Sequence, residues 1–249
     1  MADSELQNLT EDTAPASGDI VCVVVDPAGT PLARKMTVDN LGILDGWVPD
    51  GGTWTYASAS TFTVPTNLTA RFGKGTKLRL VQTSAKYFYV TSSSYGAPNT
   101  TVTVTGGADY TLANAAITSP YYSYQETPQG FPNWFNYTPS ITGYSVNPAS
   151  ATYKFRLDGR QCTVVFEEDN GTSNATTTTY SVPITSATIT AMDWWGMIPY
   201  PIDNGAAIAP GICYIPSNSV TISCHKTQLG AWTNSGGKCM RGLRLSYEI

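Results

Sequence analysis

Thr152-Tyr153-Lys154-Phe155-Arg156-Leu157-Asp158 is the stretch that decides the fold class. Tyr153, Phe155 and Leu157 alternate with Lys154, Arg156 and Asp158, which places rings and aliphatics on one side and charges on the other. Successive side chains of a strand point to opposite faces, so this is the pattern of a half-buried strand. Runs of similar character come at 161–167 (QCTVVFE), 177–183 (TTTYSVP), 185–191 (TSATITA), 194–200 (WWGMIPY), 211–216 (GICYIP), 219–224 (SVTISC) and 242–249 (GLRLSYEI). Turn signals, among them Asp169-Asn170-Gly171 and Asp203-Asn204-Gly205, separate them. Short strands without a helical stretch predict that 138–249 form a C-terminal β-sandwich, jelly-roll-like, with the last strand docked.

Upstream the spacing is similar. Residues 51–118 contain TWTYA (53–57), STFTV (60–64), LTARF (68–72), TKLRLVQ (76–82), AKYFYVTS (85–92), TTVTVT (100–105) and DYTLA (109–113). Turn formers such as Gly73-Lys74-Gly75, Gly96-Ala97-Pro98-Asn99 and Gly106-Gly107 lie between them, so this part reads as a small antiparallel β-domain. Ala113 to Ile117 can add one helical turn. Residues 119–137, SPYYSYQETPQGFPNWFNY, hold seven aromatics and three prolines with no period of 2 or 3.6. Proline fixes φ and removes a donor, which reads as an extended connector. Its aromatic surface, Tyr121, Tyr122, Tyr124, Phe131, Trp134 and Phe135, is expected to pack across domains or between subunits rather than face water.

Residues 1–50 read as an N-terminal anchor arm. The first 19 have no periodicity, Ile20 to Val25 (IVCVVV) is a strand, and 34–41 (RKMTVDNL) is a second strand or a short helix entry. A two-stranded segment is marginal alone. Its apolar residues Ile20, Val21, Val23, Val25, Met36, Val38 and Leu41 are therefore the candidate anchoring contacts to a partner.

Charge sets the arm apart from the neighbouring β-domain. Residues 1–50 carry nine acids and two bases, whereas 51–125 carry one acid, Asp109, against Arg71, Lys74, Lys77, Arg79 and Lys86. With Lys77 and Arg79 alternating with Leu78 and Leu80, that basic stripe reads as the solvent face of a strand rather than a nucleic-acid site. Charged residues are only 13% of the chain, and the Thr-, Tyr- and Trp-rich remainder favours strands over helices. No apolar run reaches a membrane span and the start is unlike a signal peptide, so synthesis and retention in a cytoplasm are expected. The six Asn-x-Ser/Thr sequons then read as a by-product of Asn/Thr-rich turns.

Little in the sequence points to catalysis or cofactors. Five cysteines at irregular spacing read as reduced thiols. Cys213, Cys224, His225 and Cys239 match no zinc spacing, and the adjacent Cys224 and His225 would point to opposite faces of a strand. Glu167, Glu168, Asp169 and Asp193, near Trp194-Trp195, are the obvious candidates for a glycan-cleaving carboxylate pair, but Glu167 to Asp169 run straight into a turn. Trp194, Trp195, Tyr200, Tyr214 and Trp232 can serve as core or as a sugar-stacking platform.

Three segments resemble tailed-bacteriophage virion structural proteins of the short-fibre, head-fibre or decoration type. They are the arm with its Gly29-Thr30 turn and Lys35-Met36-Thr37-Val38-Asp39-Asn40-Leu41; the middle with Lys86-Tyr87-Phe88-Tyr89-Val90, Ala97-Pro98-Asn99-Thr100-Thr101-Val102 and Ile117-Thr118-Ser119-Pro120-Tyr121-Tyr122-Ser123; and the end from Trp134-Phe135-Asn136-Tyr137-Thr138-Pro139 through Gly171-Thr172-Ser173-Asn174 to Tyr247-Glu248-Ile249. The resemblance implies a non-enzymatic homotrimer in the virion, held by its N-terminus to capsid or tail proteins, with the C-terminal domain outward. A host-surface glycan is the further partner it admits. No cofactor, nucleic acid or membrane insertion is implied.

Overall fold

The computed structural model describes residues 20–25, 32–37, 45–190 and 192–249, and these form an all-β protein. Among them there is no α-helix, only a 3-10 turn at Thr227–Leu229. Among the described residues no helix is long and apolar enough to cross a membrane. Ile20–Val25 and Leu32–Thr37 pair antiparallel as a sheet of their own, Ile20 opposite Thr37 and Val25 opposite Leu32. Of the anchoring residues, Val38 and Leu41 lie outside the described residues. For Ile20, Val21, Val23, Val25 and Met36 only the backbone pairing is described.

The first large unit is one seven-stranded antiparallel sheet. Its order is Val48–Pro49, Thr118–Ser123, Lys77–Gln82, Ser84–Gly96, Asn99–Thr105, Thr61–Pro65 and Thr55–Ser58. Alternation built it: Phe62 and Val64, Leu78 and Leu80, Phe88 and Val90, and Val102 and Val104 share one buried cluster with Trp54, Phe72 and Leu112. Trp54 stacks on Phe62 at 4.4 Å and meets Phe72 edge-on at 5.5 Å.

The second unit has two sheets around one core. The larger runs Phe135–Asn136, Ala151–Asp158, Gln161–Glu168, Arg244–Glu248, Asp193–Ile198, Gly211–Pro216, Thr221–His225, Thr178–Ser181 and Ile141–Thr142. The smaller runs Tyr144–Val146, Gly171–Ser173, Gly237–Arg241, Tyr200–Asp203 and Ala206–Ala207. Asp203-Asn204-Gly205 makes the expected tight hairpin, with Asn204 and Gly205 at φ 50° and 78°. Asp169-Asn170-Gly171 instead carries the chain from the larger sheet to the smaller one.

Several expected elements differ. Leu68 to Phe72 is a turn, in which the Leu68 carbonyl accepts from the amides of Arg71 and Phe72 and the Leu68 amide donates to Thr100 Oγ1. Residues 109–113 form no strand. Ala113 to Ile117 makes no helical turn, because the Gln82 amide side chain takes the Ala113 amide and the carbonyls of Ala113 and Ala115. Residues 185–190 run irregularly, held by the hydroxyls of Ser186 and Ser217.

The connector is also shorter than expected. Thr118–Ser123 is a paired strand, and Pro120 is accommodated because the pairing with Lys77–Gln82 shifts register between Arg79 and Val81. Lys77 and Arg79 do not face solvent either. The Lys77 ammonium lies 5.8 Å from the ring centres of Tyr89 and Phe131, and the Arg79 guanidinium lies 4.3 Å from Tyr121 and 4.9 Å from Trp47. Rings of the chain itself thus cover the part of this face that carries Lys77 and Arg79.

Those rings join the two units. Tyr89 packs 5.2 Å from Phe135 and 6.4 Å from Phe155, and Tyr110 lies 6.1 Å from Phe135. Asp109 accepts from the amide and the side chain of Asn136, both at 2.8 Å. Gly107, at φ 61°, brings its backbone so close to the Asn136 carbonyl that a side chain there would overlap it.

Candidate functional site

The larger sheet of the second unit turns one face to its core and one outward, and the outward face carries a row of rings. Trp194 and Trp195 are neighbours in a strand and so point apart: Trp194 is 8% exposed and Trp195 54%. Tyr214 lies directly opposite Trp195 on the next strand, with the rings stacked at 4.8 Å. His225, one strand further, stacks on Tyr214 at 5.7 Å and 16°. Burial against these neighbours lowers the His225 pKa below its usual value, so the imidazole is neutral at pH 7 and adds another flat face. Met197, exposed on the same strand as Trp195, extends the apolar surface.

The flanks of the row are hydroxyls. Ser223 lies opposite Tyr214 and Thr179 opposite Ser223, and Thr179 bonds Thr142 at 2.7 Å. On the other side, Thr163 and Ser246 share a hydrogen bond of 2.8 Å. A rigid, mostly uncharged strip of rings and hydroxyls can stack on the apolar face of a sugar or cover a partner's side chains.

The five residues named as core or sugar-stacking candidates separate, and Tyr214 is in the row. Trp195 is in the row. Tyr200 is 72% exposed but belongs to the smaller sheet. Trp194 and Trp232 are core residues, and the Trp232 indole donates to the Cys224 carbonyl at 2.8 Å. In the sequence His225 stands out only as a nominal metal ligand, because its alignment with Tyr214 depends on strand register.

The six connector aromatics separate as well. Phe135 is fully buried, and Phe131 packs on Tyr89 and Trp47. Trp134 lies under the Arg156 guanidinium, while Tyr121 and Tyr122 sit in the first sheet. Only Tyr124, 66% exposed, is left to solvent. The chain covers this surface itself, so it gives no argument for a subunit contact.

Of the four carboxylates considered for chemistry, Glu167 and Asp169 are exposed beside Arg241, and Asp193 is exposed. Glu168 is buried between the two sheets. Its Oε1 accepts from Tyr180 at 2.9 Å, Tyr144 at 3.1 Å and the Met240 amide at 2.7 Å, while Oε2 accepts from Tyr153 at 2.9 Å. Burial raises its pKa, and the donors reduce that rise without cancelling it. Lys238, also fully buried, donates to the carbonyls of Gly143 and Ala175 and lies 4.7 Å from the Tyr144 ring. Four donors on one carboxylate make a structural tie between sheets. Among the described residues no three His, Cys, Asp or Glu side chains gather where they could hold a metal.

No protein-family model matches this chain, and no curated protein does either.

Proposed function

We propose that this protein is a structural component of a tailed-bacteriophage virion, of the fibre or decoration type. In this reading it is a homotrimer held to capsid or tail proteins by its N-terminal segment and presents its C-terminal unit outward. The observation that carries the reading is how the chain uses its side chains. Glu168 and Asp203 are engaged in internal hydrogen bonds, while the rigid outer sheet displays Trp195, Tyr214 and His225. The residue resemblance of three segments supports the virion assignment, and the trimer draws on that resemblance alone. The test is quantitative protein analysis of purified particles together with light scattering of the isolated protein. A fixed copy number in multiples of three is expected. Absence from particles, or a 26.7 kDa monomer at micromolar concentration, would overturn it.

A second reading, a host-surface glycan-binding protein of the tail, is favoured by the exposed ring row. Binding on a glycan array that is lost in Trp195→Ala would support it, and release of a cleaved product would replace it with a glycan-cleaving spike.

A further inference from the structure

The outer row leaves one ring face open at its end. Tyr214 lies on one face of the Trp195 indole, and no ring among the described residues stacks on the other. Met197, two residues along the same strand, is opposite Arg244, so antiparallel register sets Ser246 beside that open face. Ser246 is small and bonded to the Thr163 hydroxyl at 2.8 Å, which leaves the indole uncovered above it.

Charge around the open face is sorted along the strands. Met197, Arg244, Val165 and Lys154 stand side by side on four successive strands, all on the outward face. Among the described residues neither Arg244 nor Lys154 has an ion pair, whereas Glu167, Glu248 and Asp158 on the same face are paired with Arg241, Arg160 and Arg156. Asp193 is exposed too, but it lies two residues from Trp195 at the end away from Arg244. Same-face neighbours of a strand are about 7 Å apart, so the Arg244 guanidinium reaches a group attached to a ring lying on the indole. A neutral sugar there would leave both cations unused, and an acidic one would engage them.

We propose that the open face of Trp195 takes an acidic sugar residue, its ring stacked on the indole and its carboxylate accepting from Arg244. Lys154, two strands beyond Arg244, adds to the attraction, and Asp193 at the other end accepts from sugar hydroxyls. This rests on the glycan-binding reading and narrows it to one ligand class. The test titrates the full chain with methyl glycosides of glucuronic and galacturonic acid and of glucose and galactose, matched pairs that exchange a carboxylate for a hydroxymethyl group. N-acetylneuraminate is a further acid and oligothymidylate a polyanion that is not a glycan, all read by ligand-observed NMR.

At least one acidic sugar should bind about tenfold or more tighter than the neutral ones, a preference that shrinks in high salt. Arg244→Gln should remove the preference, and Trp195→Ala should abolish binding of every sugar. Tyr200→Ala, on the smaller sheet, should change neither. Neutral sugars bound as tightly as acidic ones, and lost in Trp195→Ala, would keep the glycan reading and overturn the acidic assignment. A preference that survives Arg244→Gln, or oligothymidylate bound more tightly than every sugar, would also overturn it. No sugar bound, together with self-association that Trp195→Ala abolishes, would give the face to a second copy and overturn both readings, as would no binding of any kind.

Discussion

The two units build their cores by different means. In the seven-stranded unit the buried cluster is made of Trp54, Phe62, Phe72, Leu78, Leu80, Phe88 and valines, and its buried carboxylate, Asp50, pairs with Arg71 and the Trp54 indole at the border. In the two-sheet unit Glu168, Lys238 and three tyrosine hydroxyls lie inside the core. Apolar contact is non-directional, and a single sheet closed over by its own loops needs little more. Two sheets must also be told how to face each other. Tyr144 and the Met240 amide reach from the smaller sheet to a carboxylate on the larger one, and hydrogen bonds are directional enough to set that docking.

The largest effect should come from removing that tie. Glu168→Ala leaves the Tyr153 hydroxyl and the Met240 amide without their acceptor, and leaves the Tyr144 and Tyr180 hydroxyls only each other. It should destabilise the second unit by about 3–5 kcal/mol in denaturant unfolding. Glu168→Gln keeps an acceptor and should cost much less. Equal losses in the two variants, or a loss below about 1 kcal/mol in the first, would erase the contrast between the cores.

Next in size is the junction. Gly107→Val must place a side chain on the Asn136 carbonyl at a positive φ, at a cost of about 2 kcal/mol. Scanning calorimetry should then resolve two transitions where the parent shows one. A single transition shifted as a whole would mean that the units do not fold independently.

A smaller effect comes from pH. Glu168 has a folded pKa above its ordinary value of about 4.3, chiefly through burial. Its contribution is therefore complete below about pH 4.3 and is lost as pH rises through the folded value. Asp203 runs the other way: burial raises it, but hydrogen bonds from Lys226 and Thr233 outweigh that and hold it below about 3.9. Its contribution is present above that value and lost as pH falls through the folded one. The melting temperature of the parent should drop relative to Glu168→Gln as pH rises from about 4 to 8, and parallel curves would contradict the assignment.

The smallest stability effect belongs to the outer row. Trp195→Ala should change unfolding free energy by less than about 0.5 kcal/mol, since the ring is mostly exposed. A larger loss would make the row part of the fold rather than a contact surface.

Much of this contrast was legible in the sequence. Strict alternation marked Ala151–Asp158, Lys77–Gln82 and Asn99–Thr105, and Asn204-Gly205 marked its hairpin. Gly237–Arg241 was missed because Lys238 occupies a buried position that the pattern reserves for apolar residues. The strands expected at 68–72 and 185–191 do not form because hydroxyls, those of Thr100, Ser186 and Ser217, bond to backbone groups in and beside these segments. Whether Trp194 or Trp195 faces out depends on which residues lie across from them, and the place of His225 beside Tyr214 depends on register. Neither is written in a single strand.

Cys162, Cys213, Cys224 and Cys239 are free and buried, and all four lie in the two-sheet unit. Burial pushes Cys162 and Cys213 up to about 12, so near neutrality almost no thiolate is present to meet an electrophile. Cys213 and Cys224 face each other on paired strands. Alkylation can then proceed only in moments when this half of the molecule opens, and its rate becomes a stopwatch on that opening. The protein carries its own chemical clock for one unit, which mass spectrometry can read site by site without any introduced label.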